Sequence, residues 1–193
     1  IQAGRPETAG ASLKEATGLE AVYGKLANVT AEEQVQELVD AAEEQMGAVD
    51  VLINNAVLGG TRCLVEMADE EWSRVLDVTL TGTMRMTRAM LRKMQPRGAG
   101  VIVNNASVLG WRAQKEQCHY QSNYAAAKAG VMALTRCAAL EAADFGVRIN
   151  AVSPSIAFHE FLKKTTPMEL LEDLAAKEAF GRAAEVWEVA NVM

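Results

Sequence analysis

The sequence predicts an α/β fold: a doubly wound parallel sheet with helices on both faces. Three observations carry this. Short apolar runs, Val49–Ile53, Val101–Val103 and Val147–Val152, alternate with longer stretches of helical periodicity. Those stretches are long enough to serve as crossovers between parallel strands. Polar or turn residues follow the apolar runs, and open sheets of this kind bind ligands beyond the carboxyl ends of their strands.

The elements follow in chain order. Leu19–Leu26 reads as a short strand that ends at Asn28. Thr30-Ala31-Glu32-Glu33 is a capping box opening a helix with Val35, Leu38, Val39, Ala42 and Met46 on its apolar stripe, and Gly47 ends it. Its acidic positions between Glu32 and Glu44 read as a solvated face. Val49–Ile53 is a buried strand, and a loop with Gly59 and Gly60 follows. A long helix runs from about Asp69 to Met94, anchored by Trp72 and carrying Val75, Leu76, Leu80, Met86, Met90 and Leu91. Its methionines suit core or a subunit interface. Pro96 and Gly98 punctuate before Val101–Val103. An Ala-rich helix spans about Tyr124 to Phe145, Gly146 closes it, and Val147–Val152 is a further strand broken by Pro154. Phe158 to Met193 reads as helices, with Trp187 packing the last. The chain starts at Ile1 without a Met and stops at Met193 partway through that apparent helix, so a fragment missing residues at both ends is expected.

The 193 residues suit a single domain covering 1–193, with no repeat or linker. The net charge of -6 argues against nucleic acid and against a polybasic membrane anchor. No apolar run reaches the roughly twenty residues that cross a bilayer. Two histidines exclude a His-rich metal site. Cys63, Cys118 and Cys137 are odd in number and form no C-x-x-C, which suits reduced thiols in a cytoplasmic protein.

Tyr124-Ala-Ala-Ala-Lys128 is the most informative stretch. Residues four apart share a helix face, so phenol and ammonium look the same way. A free tyrosine ionises near ~10, and a nearby cation lowers that value. Such a phenol can act as a general acid or base. Alone the pair equally describes a surface Tyr with a solvated Lys. Its context is Ser107 after Val101–Val103, Asn54-Asn55-Ala56 after Val49–Ile53, Asn28, and Pro154-Ser155-Ile156 after Val147–Val152. Each alone is also ordinary turn chemistry. Cys118 and His119 lie beside Tyr120, but neighbours on one loop rarely converge on chemistry.

Taken together, Asn28-Val29-Thr30, Asp50 through Ala56, Trp72 with Leu80-Thr81-Gly82-Thr83, Ser107, Tyr124, Lys128 and Arg148 through Pro154 resemble the short-chain dehydrogenase/reductase family. The likeness covers nearly the whole chain and is strongest to 3-oxoacyl-carrier-protein-reductase-like members. Ser153 through Ile156 and Glu178 through Arg182 resemble an actinobacterial branch tied to steroid or acyl-CoA breakdown. The resemblance implies a Rossmann-type fold, NAD or NADP as cofactor, and conversion between a secondary alcohol and a ketone. It implies Tyr124 as proton donor or acceptor, Lys128 as the group that lowers its pKa and holds the nicotinamide ribose, and Ser107 as hydrogen-bond partner of the substrate oxygen. Asn54, Asn55 and Ala56 would border the adenosine ribose, Asn28 and Val29 the adenine. Pro154 and Ile156 would flank the carboxamide, Ile156 through its backbone. Arg5 would meet a 2′-phosphate. An apolar acyl thioester or polycyclic substrate would lie under residues 157–182, lined by Phe158, Phe161, Leu162 and Leu171, with Trp111 as a further candidate. Assembly as a homotetramer or dimer would use the helices at 70–93 and 124–145.

Departures are part of the reading. The glycine-rich turn T-G-x-x-x-G-I-G and the first strand are absent and would lie before Ile1. Val57 stands where the resemblance expects a glycine, Ser155 at another, and Thr79 at a helix asparagine of a water-borne proton relay. The usual interval from Ser107 lands on Tyr120. Gln117-Cys-His-Tyr120 followed by Gln121-Ser-Asn-Tyr124 looks like a four-residue duplication, and only Tyr124 has a lysine four residues on. The extra residues must then be absorbed in the loop after Ser107. The alternative is an impaired fold of this family that binds nucleotide or only associates with partner subunits.

Overall fold

The structure is a computed structural model that describes residues 6–19, 21–60, 62–113 and 121–193. Arg5, Cys118, His119, Tyr120 and the side chain of Phe161 lie outside the described residues. Three strands form one parallel sheet: β1 (Val51–Asn54), β2 (Gly100–Asn105) and β3 (Val147–Val152), in the order β1-β2-β3. The register sets Ile53 beside Val103, Asn54 beside Asn104, and Asn104 beside Ala151. All three strands therefore end on the same side.

Helices α1 (Pro6–Thr17) and α2 (Glu32–Met46) precede the sheet. Between β1 and β2 runs a continuous helical stretch: α3 (Asp69–Leu76), a wider π turn over Asp77–Thr81, and α4 (Gly82–Met94). The acidic residues Asp69, Glu70 and Glu71 fill the first turn of α3, where unpaired N–H groups favour negative charge. Between β2 and β3 lies α5 (Ser122–Ala143), and α6 (Glu160–Thr165), α7 (Met168–Ala176) and α8 (Val186–Ala190) follow. The core joins Val35 and Val39 of α2, Met90 and Met94 of α4, Ile102 of β2, and Val147 and Ile149 of β3, so the methionines are core residues.

Five expectations need correction. Leu19–Leu26 is not a strand: among the described residues it pairs with no neighbour, and Leu19, Tyr23 and Leu26 are exposed. A strand needs a ladder partner, and apolar content does not supply one. Val51 and Ile53 are 52% and 47% exposed, because among the described residues nothing covers their face of β1. The capping box does not form. Asn28 Oδ1 instead accepts from Thr30 N at 3.1 Å and from Thr30 Oγ1 at 3.0 Å, and Asn28 N donates to Gln34 Oε1. The acidic face of α2 is partly paired, with Glu32 on Arg88 at 2.6 Å and Asp40 on Lys93 at 2.8 Å. The apparent last helix closes at Ala190, and Trp187 is exposed.

A polar ladder crosses the core at the strand ends. Asn54 Nδ2 donates to Asn104 Oδ1 at 2.9 Å and to Thr87 Oγ1 at 3.1 Å. Asn104 Nδ2 donates to Thr135 Oγ1 at 2.9 Å, and Thr135 donates on to Val131 O. All four side chains are buried, so each partner satisfies a group water cannot reach. The ladder fixes β1 and β2 against α4 and α5. Replacing Asn104 by leucine takes one buried partner each from Asn54 and Thr135, which keep only Thr87 and Val131 O. The expected cost is about 2–3 kcal/mol in urea unfolding, through the penalty for unsatisfied buried groups.

Candidate active site

The strand ends and the first turns of α5 meet in one place. Asn123 is fully buried and its Oδ1 accepts from Tyr124 N at 2.8 Å, which fixes the start of the helix. One turn on, Lys128 is only 3% exposed. Its Nζ donates to the Asn105 carbonyl at the end of β2 and lies 5.6 Å from the centre of the Tyr124 ring. Asn105 Nδ2 donates in turn to Asn55 Oδ1 at 2.6 Å, just past β1.

Ser107 enters from the loop after β2. Its hydroxyl oxygen accepts from Leu109 N at 3.3 Å, and its hydroxyl hydrogen-bonds the phenol of Tyr124. That loop is tied to the end of β3, where Ala106 N donates to Val152 O and Val108 N donates to Pro154 O. It also presses onto α5 at Gly110. A methyl group there would sit 2.8 Å from Ala129 N and 2.9 Å from the Lys128 carbonyl carbon. Only glycine permits that approach. The structure thus brings Ser107, Tyr124 and Lys128 together. Residues 114–120, which hold the extra length before Tyr124, lie outside the described residues.

The electrostatics differ from the sequence expectation. Burial holds Lys128 down to about 8, because an enclosed ammonium loses its hydration. Burial also pushes the Tyr124 phenol above its usual value, and the Ser107 hydrogen bond acts against that push. Ser107 thus pulls the phenol downward, while the Lys128 ammonium, close to the ring, is turned to the Asn105 carbonyl.

Other expected residues are placed as follows. The Asn54 side chain points into the core ladder, so any ligand contact it makes uses its backbone. Asn55 and Ala56 are exposed beyond β1. The Asn28 side chain is held by its own turn, and Val29 packs against Gly82. The Ile156 carbonyl accepts from Ala184 N at 2.9 Å, which leaves its N–H as the group able to meet a ligand. Thr79 is 1% exposed in the π turn. Its hydroxyl accepts from Leu58 N at 3.0 Å and donates to Leu58 O at 3.1 Å. Its one donor and one of its acceptor sites go to Leu58 and the side chain is buried, so Thr79 fastens the loop after β1. Leu171 is buried, Leu162 and Phe158 are partly so, and Trp111 is exposed. Cys63 and Cys137 are free thiols. Among the described residues no group of His, Cys, Asp or Glu could hold a metal ion, and no helix is long and apolar enough to cross a membrane.

Sequence reasoning missed Asn104, Thr87, Thr135 and Gly110. The doublets Asn54-Asn55 and Asn104-Asn105, each closing a strand, were a usable signal for the ladder.

Comparison with known proteins agrees with this geometry. The family model described as short chain dehydrogenase matches residues 1–169. A (5R,7aS)-5-hydroxy-7a-methyl-1-oxo-2,3,5,6,7,7a-hexahydro-1H-indene-carboxyl-CoA reductase of Mycobacterium tuberculosis is 63% identical over 91% of this chain and 66% of its own length. A 3-oxoacyl-acyl-carrier-protein reductase of Vibrio cholerae is 35% identical over 88% of this chain and 68% of its own. The crystal structure of a short chain dehydrogenase from Mycobacterium smegmatis, 53% identical, superposes with a TM-score of 0.80 over 97% of this chain and 68% of that one. The chain thus spans about two thirds of the length of these relatives.

Ser107→Ala removes the hydrogen bond that counters burial at the phenol. Difference ultraviolet titration against Tyr124→Phe should show Tyr124 ionising at higher pH than in the parent; an unchanged midpoint would break the link between the two hydroxyls.

Proposed function

The chain belongs to the short chain dehydrogenase family, and from that premise we propose that it is a NAD- or NADP-dependent oxidoreductase interconverting a ketone and a secondary alcohol on a polycyclic or acyl-thioester substrate. The observation that carries this reading is the convergence of Ser107 and Lys128 on Tyr124 at the strand ends.

The site suits a nicotinamide cofactor. Lys128 is buried, enters no ion pair among the described residues, and meets only a carbonyl oxygen, so ligand hydroxyls complement it. Asn105 Oδ1 is a buried acceptor without a partner. Lys128 would hold the ribose, Asn55 and Ala56 would border the cofactor past β1, and the Ile156 N–H would face the carboxamide. When bound, the cofactor supplies or takes the hydride. In the reductive direction, the Ser107 hydroxyl hydrogen-bonds the carbonyl oxygen and fixes it beside the phenol. Tyr124 Oη then gives its proton to that oxygen as negative charge develops there. The Lys128 ammonium, close to the ring, stabilises the phenolate left behind. Oxidation runs the same proton path backwards.

The name of the Mycobacterium tuberculosis relative describes a hydroxylated bicyclic ketone joined to CoA. That supports a fused-ring acyl thioester as the substrate class here. Residues 157–182 would cover it. Exposed Leu140 on α5 suits an oligomer contact, as a dimer or tetramer, and the free thiols suit a cytoplasmic protein. A second reading, nucleotide binding with impaired turnover, rests on Thr79, whose buried hydroxyl bonds both backbone polar groups of Leu58.

Two measurements test this. With the intact protein, NADH and NADPH oxidation driven by a bicyclic ketone or a 3-oxoacyl-CoA should fall at least about a thousandfold in Tyr124→Phe, while fluorescence titration still shows cofactor binding. Full turnover in that variant refutes the assignment; cofactor binding without turnover in the parent favours the second reading. The pH dependence has a definite sign. Below about 8 the Lys128 ammonium is present, and above it the charge is lost. Ketone reduction should therefore decline as pH rises through about 8, and Lys128→Met should lack that limb.

A further inference from the structure

We propose that Glu178 is a positioning residue: its carboxylate latches the segment after β3 onto the two loops that build the site, and this latch sets how firmly substrate is held. The inference rests on the oxidoreductase reading for its kinetic part and on geometry alone for its structural part.

Glu178 lies just past α7, and its side chain is 19% exposed. Its Oε1 accepts from Ser155 Oγ at 2.5 Å and lies 3.6 Å from Arg112 Nη2. The three residues come from three separate places in the chain. Ser155 follows Pro154, whose carbonyl accepts from Val108 N. Arg112 N donates to Val108 O at 3.0 Å, so Arg112 is rooted in the short turn that Ser107 opens. One carboxylate oxygen therefore ties the covering segment to the Ser107 loop and to the loop carrying Ile156.

Among the described residues the covering segment is otherwise held by backbone bonds at its base and by one buried face of α7. Ala157 bridges to Ala184, Ala184 N donates to Ile156 O, and Phe158 N donates to Ala184 O at 3.3 Å. Leu171, Leu174 and Ala175 bury one face of α7. Glu178 adds a polar tie on the side of the strand ends. That tie depends on a departure from the family pattern, because Ser155 stands where the resemblance expects glycine, and glycine has no hydroxyl to donate. A substrate must fit between this segment and the hydroxyls of Ser107 and Tyr124. Releasing the latch should loosen that fit without touching the groups that move the proton. The kinetic mark of such a change is a higher KM at nearly constant kcat.

The test compares Ser155→Gly, Glu178→Ala, Glu178→Gln and the Ser155→Gly/Glu178→Ala double variant in the intact protein. Trypsin cleavage after the exposed Lys177 reads the latch with no need for turnover. Ser155→Gly and Glu178→Ala should each speed that cleavage and raise KM by about tenfold, with kcat within about twofold. The double variant should be no worse than the worse single one, since both remove the same tie. Glu178→Gln keeps an acceptor for Ser155 and should stay within about threefold of the parent in both readouts. Unchanged cleavage in Ser155→Gly, additive effects in the double variant, or a loss confined to kcat would overturn the proposal. A Tyr124→Phe protein with full turnover would refute the oxidoreductase reading and leave the cleavage result to decide the latch.

Discussion

One backbone contact with no room for a methyl group holds the site together. At Gly110 the loop after β2 lies directly on α5, against the main chain of Lys128 and Ala129. Ser107 sits three residues before that contact, and Tyr124 lies one helical turn before it. The distance between the two hydroxyls is thus fixed by a close approach of two backbones, and not by a flexible side chain. The same loop is bonded to the end of β3 through Val152 and Pro154. Three segments far apart in sequence converge because one residue there lacks a Cβ.

Burial then gives the assembled groups their chemistry. Lys128 has little solvent and, among the described residues, no carboxylate beside it, so its ammonium is easier to lose than an ordinary lysine's. The same enclosure keeps the Tyr124 phenol protonated, opposed by Ser107. A protonated phenol between a hydroxyl and an ammonium is set up to give a proton to an oxygen brought against it. Beneath it, the Asn54–Asn104–Thr135 ladder satisfies the polar groups that enclosure would otherwise strand.

The departures from the family pattern have structural explanations in two cases. Thr79 binds both backbone polar groups of Leu58 and so secures the loop after β1, at the position expected for a relay asparagine. Ser155 supplies a hydroxyl that Glu178 grips. Each replaces a group that would serve a ligand or leave space with one that fastens the protein to itself. Val57, in place of another glycine, is simply exposed.

The sequence by itself determined the alternation of parallel strands and helices, the polar and turn residues at the strand ends, and the one-turn spacing of Tyr124 and Lys128. These are local properties: a hydrophobic period, a turn residue, and a spacing of one helical turn are all written in consecutive residues. The tertiary structure decided that Leu19–Leu26 finds no strand partner among the described residues, since a strand exists only through its neighbour. It decided that Asn54 faces inward, that Ser107 pulls on the phenol against burial, and that Glu178 reaches Ser155. Each of these depends on which distant groups share an enclosed space, and the energy of a hydrogen bond or a buried charge is set by that enclosure rather than by position along the chain.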